Sequence, residues 1–67
     1  MPLVKEVLEL IAGNIVKAKG SLAALKEVVA DMRLAGMDTT NQNKEVDRLT
    51  TDLRALEIFY ERQKAKS

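Results

Sequence analysis

The chain has 67 residues, with 11 basic side chains against 10 acidic ones and a formal net charge of +1. It contains no cysteine and no histidine, so we expect neither a disulfide nor the usual sets of zinc ligands. This balance lacks the basic excess that is typical of proteins that bind nucleic acids or anionic membranes. The length predicts a single domain over residues 1–67.

Apolar residues follow two ladders with alternating steps of three and four residues, one in each half of the chain. Such steps place side chains along one stripe of a helix. The first ladder is Val4, Leu8, Ile11, Ile15, Ala18, Leu22, Leu25, Val29 and Met32. The second ladder is Val46, Leu49, Leu53, Leu56 and Tyr60. Two stripes joined by a short connection predict an all-α fold, an antiparallel two-helix hairpin with a coiled-coil seam.

Local signals predict where the two helices begin and end. The first helix is predicted over residues 3–35, with Gly36 just past its end in the left-handed conformation that glycine adopts easily. Thr39 and Gln42 have the spacing of a capping box, which predicts the start of a helix. The second helix is therefore predicted over residues 40–64.

A three-helix bundle is the alternative fold. Gly20-Ser21 could end one helix and begin another, since glycine follows helix ends and serine precedes helix starts. The first ladder nevertheless passes through Gly20 without losing its phase, which favours one continuous helix.

Folding the chain back near Thr39 predicts a register for the hairpin, in which Leu25 faces Leu53. The same register places charged side chains of the first helix beside the seam opposite residues of the second. The predicted pairs are Arg33 with Glu45, Lys26 with Asp52, and Lys19 with Phe59.

Several apolar residues lie beyond this seam or beside it. In the predicted register the second helix ends opposite Ile11, and the first helix extends beyond it. Five residues are then expected to lack a packing partner: Leu3, Val4, Val7, Leu8 and Leu10. Val28 widens the apolar stripe, and a wide stripe contacts two neighbours, while Ile58 points away from the seam. The predicted partner-binding residues are Leu3, Val7, Leu10, Val28 and Ile58.

The small size of the hairpin also indicates association. A 67-residue chain without disulfides or metals has little core of its own, and such chains usually add a partner. We expect the hairpin to bind itself, as a dimer or higher oligomer, or another helical protein, in a four-helix-type bundle.

The residue types give little support to catalysis. No cysteine or histidine is present to build a nucleophile–base pair. Glu57 and Glu61 lie one helical turn apart, but the Glu-x-x-His pattern of di-metal bundles is missing, which favours a solvated helix surface. The three glycines match no phosphate-binding loop. We therefore expect no enzyme, no metal site and no cofactor.

The sequence favours a small protein–protein interaction module: an adaptor, a small chaperone or an assembly subunit. The alternative is a regulator, a dimeric helical hairpin that binds nucleic acid through a basic cluster at the end opposite the connection. The residues of that possible contact are Lys17, Lys19, Arg62 and Lys64.

The N-terminal residues do not have the layout of a signal peptide, because Lys5, Glu6 and Glu9 interrupt the apolar residues. No run of 18 apolar residues occurs, so no membrane span is predicted. We expect a cytoplasmic protein.

Overall fold

The chain folds into a hairpin of two long helices in the computed structural model, which describes residues 4–66. Helix α1 covers Lys5–Leu34 and helix α2 covers Thr40–Lys66, and no strand occurs among the described residues. The hairpin measures 50 × 15 × 12 Å. The prediction of an all-α hairpin is confirmed.

The core is one line of apolar side chains on α1. Leu8, Ile15, Leu22 and Val29 are buried at intervals of seven residues. A strict seven-residue repeat keeps one stripe of a helix against its neighbour over many turns. The first ladder therefore forms the seam as the sequence predicted.

Helix α1 is continuous through Gly20, so the three-helix alternative is wrong. Gly20 has no other residue within 4 Å of the position that a Cβ atom would occupy, and its backbone is helical. An alanine would therefore fit at this position without a clash.

The end of α1 is fixed by its backbone. Gly36 has a φ of +82°, and its N–H donates to the carbonyl oxygen of Arg33 at 3.0 Å. The N–H of Met37 donates to the carbonyl oxygen of Met32 at 3.0 Å. These two bonds form a Schellman motif, which confirms the predicted left-handed glycine after the helix.

The start of α2 is capped by a different side chain from the predicted one. Asp38 Oδ1 accepts hydrogen bonds from the Thr40 N–H at 3.0 Å and from Thr40 Oγ1 at 2.6 Å. Thr39 is buried, and its Oγ1 accepts from Asn43 Nδ2 at 3.2 Å. The predicted helix start is correct, but the cap is an Asx turn, because the Asp38 carboxylate reaches the first free N–H of α2.

The side-chain pairs beside the seam differ from the predicted ones. Lys19 lies against Glu57 instead of Phe59, and Arg33 lies against Asn43 instead of Glu45. Asp52, the predicted partner of Lys26, instead accepts from Arg48 on its own helix. Antiparallel helices bring equivalent heptad positions face to face, and the predicted pairs joined inequivalent ones.

The ends of the helices differ slightly from prediction. Val4 is extended and precedes α1, while Leu3 lies outside the described residues. Helix α2 continues two residues past Lys64, to Lys66. Leu8 is buried, so the expectation that it lacks a packing partner is wrong, because α2 continues to Lys66 and reaches further along α1 than predicted.

Candidate interaction face

The two long sides of the hairpin differ in how the helices are joined. On one side, Lys19 Nζ lies 3.2 Å from Glu57 Oε1, and Arg33 Nη2 donates to Asn43 Oδ1 at 3.3 Å. We call this side, with these four residues, the bridged face. Exposed pairs of this kind contribute about 0.2–1 kcal/mol each, so they serve mainly to fix the register.

The opposite side holds an open apolar groove between the helices, with a volume of about 320 Å³. We call this side the groove face. It is bordered by Ser21 on α1 and Asp52 on α2. Each of them belongs to a column, by which we mean a row of residues seven positions apart along one helix, and these two columns face each other across this side of the seam. The groove is lined by Ala18, Ser21, Leu22, Leu49, Asp52, Leu53 and Leu56.

Helix α2 leaves much of its apolar ladder uncovered. None of its residues within the described range is buried, and Leu49, Leu53 and Leu56 are only half-buried. The same three leucines line the groove. Helix α1 alone therefore does not cover the apolar stripe of α2.

Large apolar side chains also lie along the borders of the groove face. Val7 and Val28 belong to the α1 column that contains Ser21, spaced by multiples of seven residues, and Leu10 lies one helical turn after Val7. On α2, Phe59 lies seven residues after Asp52. Their exposed fractions are 37% for Val7, 68% for Leu10, 55% for Val28 and 44% for Phe59. Single exposed apolar residues are ordinary, but a row of them beside a groove is typical of an interaction surface.

The structure divides the predicted partner-binding residues into three groups. Val7, Leu10 and Val28 are brought to the groove face. Ile58 is 56% exposed and lies outside the groove, in a shallow hollow of α2 that it shares with Phe59, Arg62 and Lys66. Leu3 lies outside the described residues.

The polar side chains of the groove face bond along α2. Arg48 Nη1 lies 3.2 Å from Asp52 Oδ2, and Arg48 also forms a bidentate contact with Glu45. The hydrogen bond from Arg48 lowers the pKa of the Glu45 carboxyl, and the same bond raises the pKa of the Arg48 guanidinium. This network holds the charges at one edge of the groove and leaves the groove itself apolar.

The four residues of the possible nucleic-acid contact do not share one face. Lys19 pairs with Glu57 on the bridged face, where Lys64 Nζ lies 6.0 Å from the centroid of the Tyr60 ring. Lys17 is two positions before Lys19, so its side chain points roughly 200° away around the helix. Lys17 and Arg62 lie towards the groove face. The basic cluster is therefore spread over two sides of the hairpin.

Phe59, Asp52 and Ser21 are the residues of this face that the sequence prediction left out as binding residues. The signal was the seven-residue column, since Glu45, Asp52 and Phe59 repeat on α2 as Val7, Ser21 and Val28 do on α1. Recognising it requires knowing which columns meet across the seam, and the predicted charge pairs joined the wrong ones.

Among residues 4–66, no three acidic side chains are grouped closely enough to hold a metal ion. In the same range, neither helix has a stretch long and apolar enough to span a bilayer. The chain matches no protein-family model, no curated protein and no solved structure.

Proposed function

We propose that the protein is a small helical interaction module that binds a helical partner through its groove face and so completes a four-helix-type bundle. Its role is that of an adaptor, a small chaperone or an assembly subunit, and it catalyses no reaction. The observation that carries the proposal is the half-buried ladder of α2 beside an open apolar groove.

A partner helix is the ligand that suits this groove. The groove runs between two long helices, and its leucines repeat at helical spacing. An amphipathic helix laid into such a groove buries apolar residues at intervals of three and four positions. Burial of apolar surface contributes about 25 cal/mol per Å², so covering the leucines stabilises both partners.

Two valines of α1 provide a matched test. Val28 is 55% exposed on the groove face, and Val16 is 70% exposed on the other side of the same helix. We expect Val28→Glu to weaken self-association and capture of host proteins, because it places a charge at the edge of the groove. Val16→Glu changes the net charge equally and should leave both unchanged.

Self-association is measured by sedimentation velocity, capture by affinity purification of a tagged chain, and the fold by circular dichroism. Equal behaviour of the two folded variants, whether both bind or both fail, would contradict a role for the groove face.

A further inference from the structure

We propose that the occupant of the groove face is a second copy of this chain, stacked antiparallel, so that the two connecting loops lie at opposite ends of the dimer. This inference rests on the proposed function and specifies its partner. It follows from the distribution of charge on the groove face and from the area that the hairpin leaves exposed.

The groove face has an acidic half and a basic half. The charged residues of the groove face lie in the two columns that border the groove and in the next column outward on each helix, and all are exposed. From the loop end to the middle they are Asp31, Glu45, Arg48 and Asp52, three acids and one base. From the middle to the free end they are Lys17, Arg62 and Lys66, with no acid among them. The groove lies between the two halves.

An antiparallel copy matches this pattern. A two-fold axis near Ser21 and Leu56, across the long axis of the hairpin, lays the acidic half of each copy on the basic half of the other. Opposite charges then meet twice, as they must in an interface with two-fold symmetry. A parallel copy would lay acidic half on acidic half and basic half on basic half, which like-charge repulsion disfavours.

The exposed area also fits a partner of this size. The hairpin exposes 5237 Å². A compact monomer of its 7.4 kDa mass exposes roughly 4,200 Å² by the usual scaling with mass. The excess of about 1,000 Å² is similar to the area of about 800 Å² that each partner buries in a stable interface. A second hairpin laid on the groove face covers a surface of this size.

Charge reversal tests the antiparallel match. One variant carries Glu45→Lys and Asp52→Lys, and the other carries Arg62→Glu and Lys66→Glu. Each variant alone places like charges against each other, so we expect its dimer to dissociate on the order of tenfold more readily than the unchanged dimer. A mixture of the two restores opposite charges at both ends and should form a heterodimer of nearly unchanged stability.

The position of the loops tests the orientation. The chain has no cysteine, so Met37→Cys places a single spin label in each loop. Electron–electron distance measurements should give about the 50 Å length of the hairpin for an antiparallel pair. A short distance between the two labels would overturn the antiparallel arrangement.

The outcomes separate this inference from the proposed function. A folded monomer that binds another helical protein, and loses it with Val28→Glu, would overturn the second copy as occupant and leave the interaction module intact. A folded monomer that shows no binding through the groove face would overturn both. A dimer that is indifferent to both charge variants would overturn the antiparallel match alone.

Discussion

Gly20 and Gly36 show how one residue type serves two purposes in this chain. Gly20 is helical and exposed, and a Cβ atom there would meet nothing within 4 Å. Gly36 has a φ of +82° and ends α1. The backbone requires glycine at the second position but not at the first.

Gly20→Ala should therefore stabilise the protein by up to about 1 kcal/mol, since alanine loses less conformational freedom in a helix. Gly36→Ala should destabilise it by about 1–2 kcal/mol, because a side chain is strained in the left-handed region. Chemical denaturation of both variants checks the pair. A loss of stability in Gly20→Ala would contradict the continuous helix.

The hydrogen bonds of the Asp38 carboxyl predict that the stability of the folded state depends on pH. The hydroxyl and the backbone N–H of Thr40 lower the pKa of the Asp38 carboxyl below its ordinary value of 3.8. A carboxyl with a lowered pKa stabilises the folded state above its unfolded pKa, and this stabilisation is lost as the pH falls through the folded pKa.

Asp38→Asn keeps an oxygen acceptor for Thr40 but removes the charge. We expect the wild-type protein to have the higher melting temperature at pH 7, and the difference to shrink as the pH falls below about 4. Melting curves of both proteins from neutral to acid pH measure it, and the comparison cancels the contribution of Glu45. A difference that stays constant across this range would contradict the role of the Asp38 carboxylate.

At the scale of the two helices, the sequence predicted the stripes well and the side-chain pairs beside the seam less well. Helical periodicity depends only on neighbouring residues, so the ladder through Leu22 could be assigned from spacing. The side-chain pairs beside the seam depend on which columns meet across it. The column of Lys19 and Arg33 meets the column of Asn43 and Glu57, and complementary charge alone pointed to other pairs.

The observed pairing of columns predicts that residue 26 faces residue 50, since residues 19 and 33 face residues 57 and 43. A variant with Lys26→Cys and Thr50→Cys should be cross-linked within one chain by a short bismaleimide. A variant with Lys26→Cys and Asp52→Cys should react poorly, because residue 52 lies on the groove face. Peptide mapping identifies the cross-linked peptides, and the reverse preference would restore the pair of residues 26 and 52 predicted from the sequence.

Leu22 tests the seam itself. It is buried at the middle of α1, so Leu22→Ala should cost about 2–5 kcal/mol, as truncations of buried leucine generally do. Thr51 is exposed on the outer side of α2, and Thr51→Ala should change the free energy of unfolding by less than about 0.5 kcal/mol. Denaturant titration measures both, and similar effects at the two sites would mean that the seam is misplaced.

At the scale of the whole molecule, the candidate face could be predicted only in part. Val7 and Val28 could be assigned to it because they widen the stripe of α1 beyond what one neighbour covers. The contribution of α2 could not, since the predicted pairs placed Asp52 and Phe59 beside Lys26 and Lys19, on the other side of the seam. Ile58 was assigned because it points away from the seam, and it lies beside the groove in a hollow with Phe59.

The most direct test of the central claim is the mass of the unmodified chain in solution, measured by sedimentation equilibrium over a wide range of concentrations. If the groove face binds a second copy, the mass should approach twice the 7.4 kDa of the chain, and the melting temperature should rise with concentration. A folded species of 7.4 kDa at every concentration, with a constant melting temperature, would contradict it.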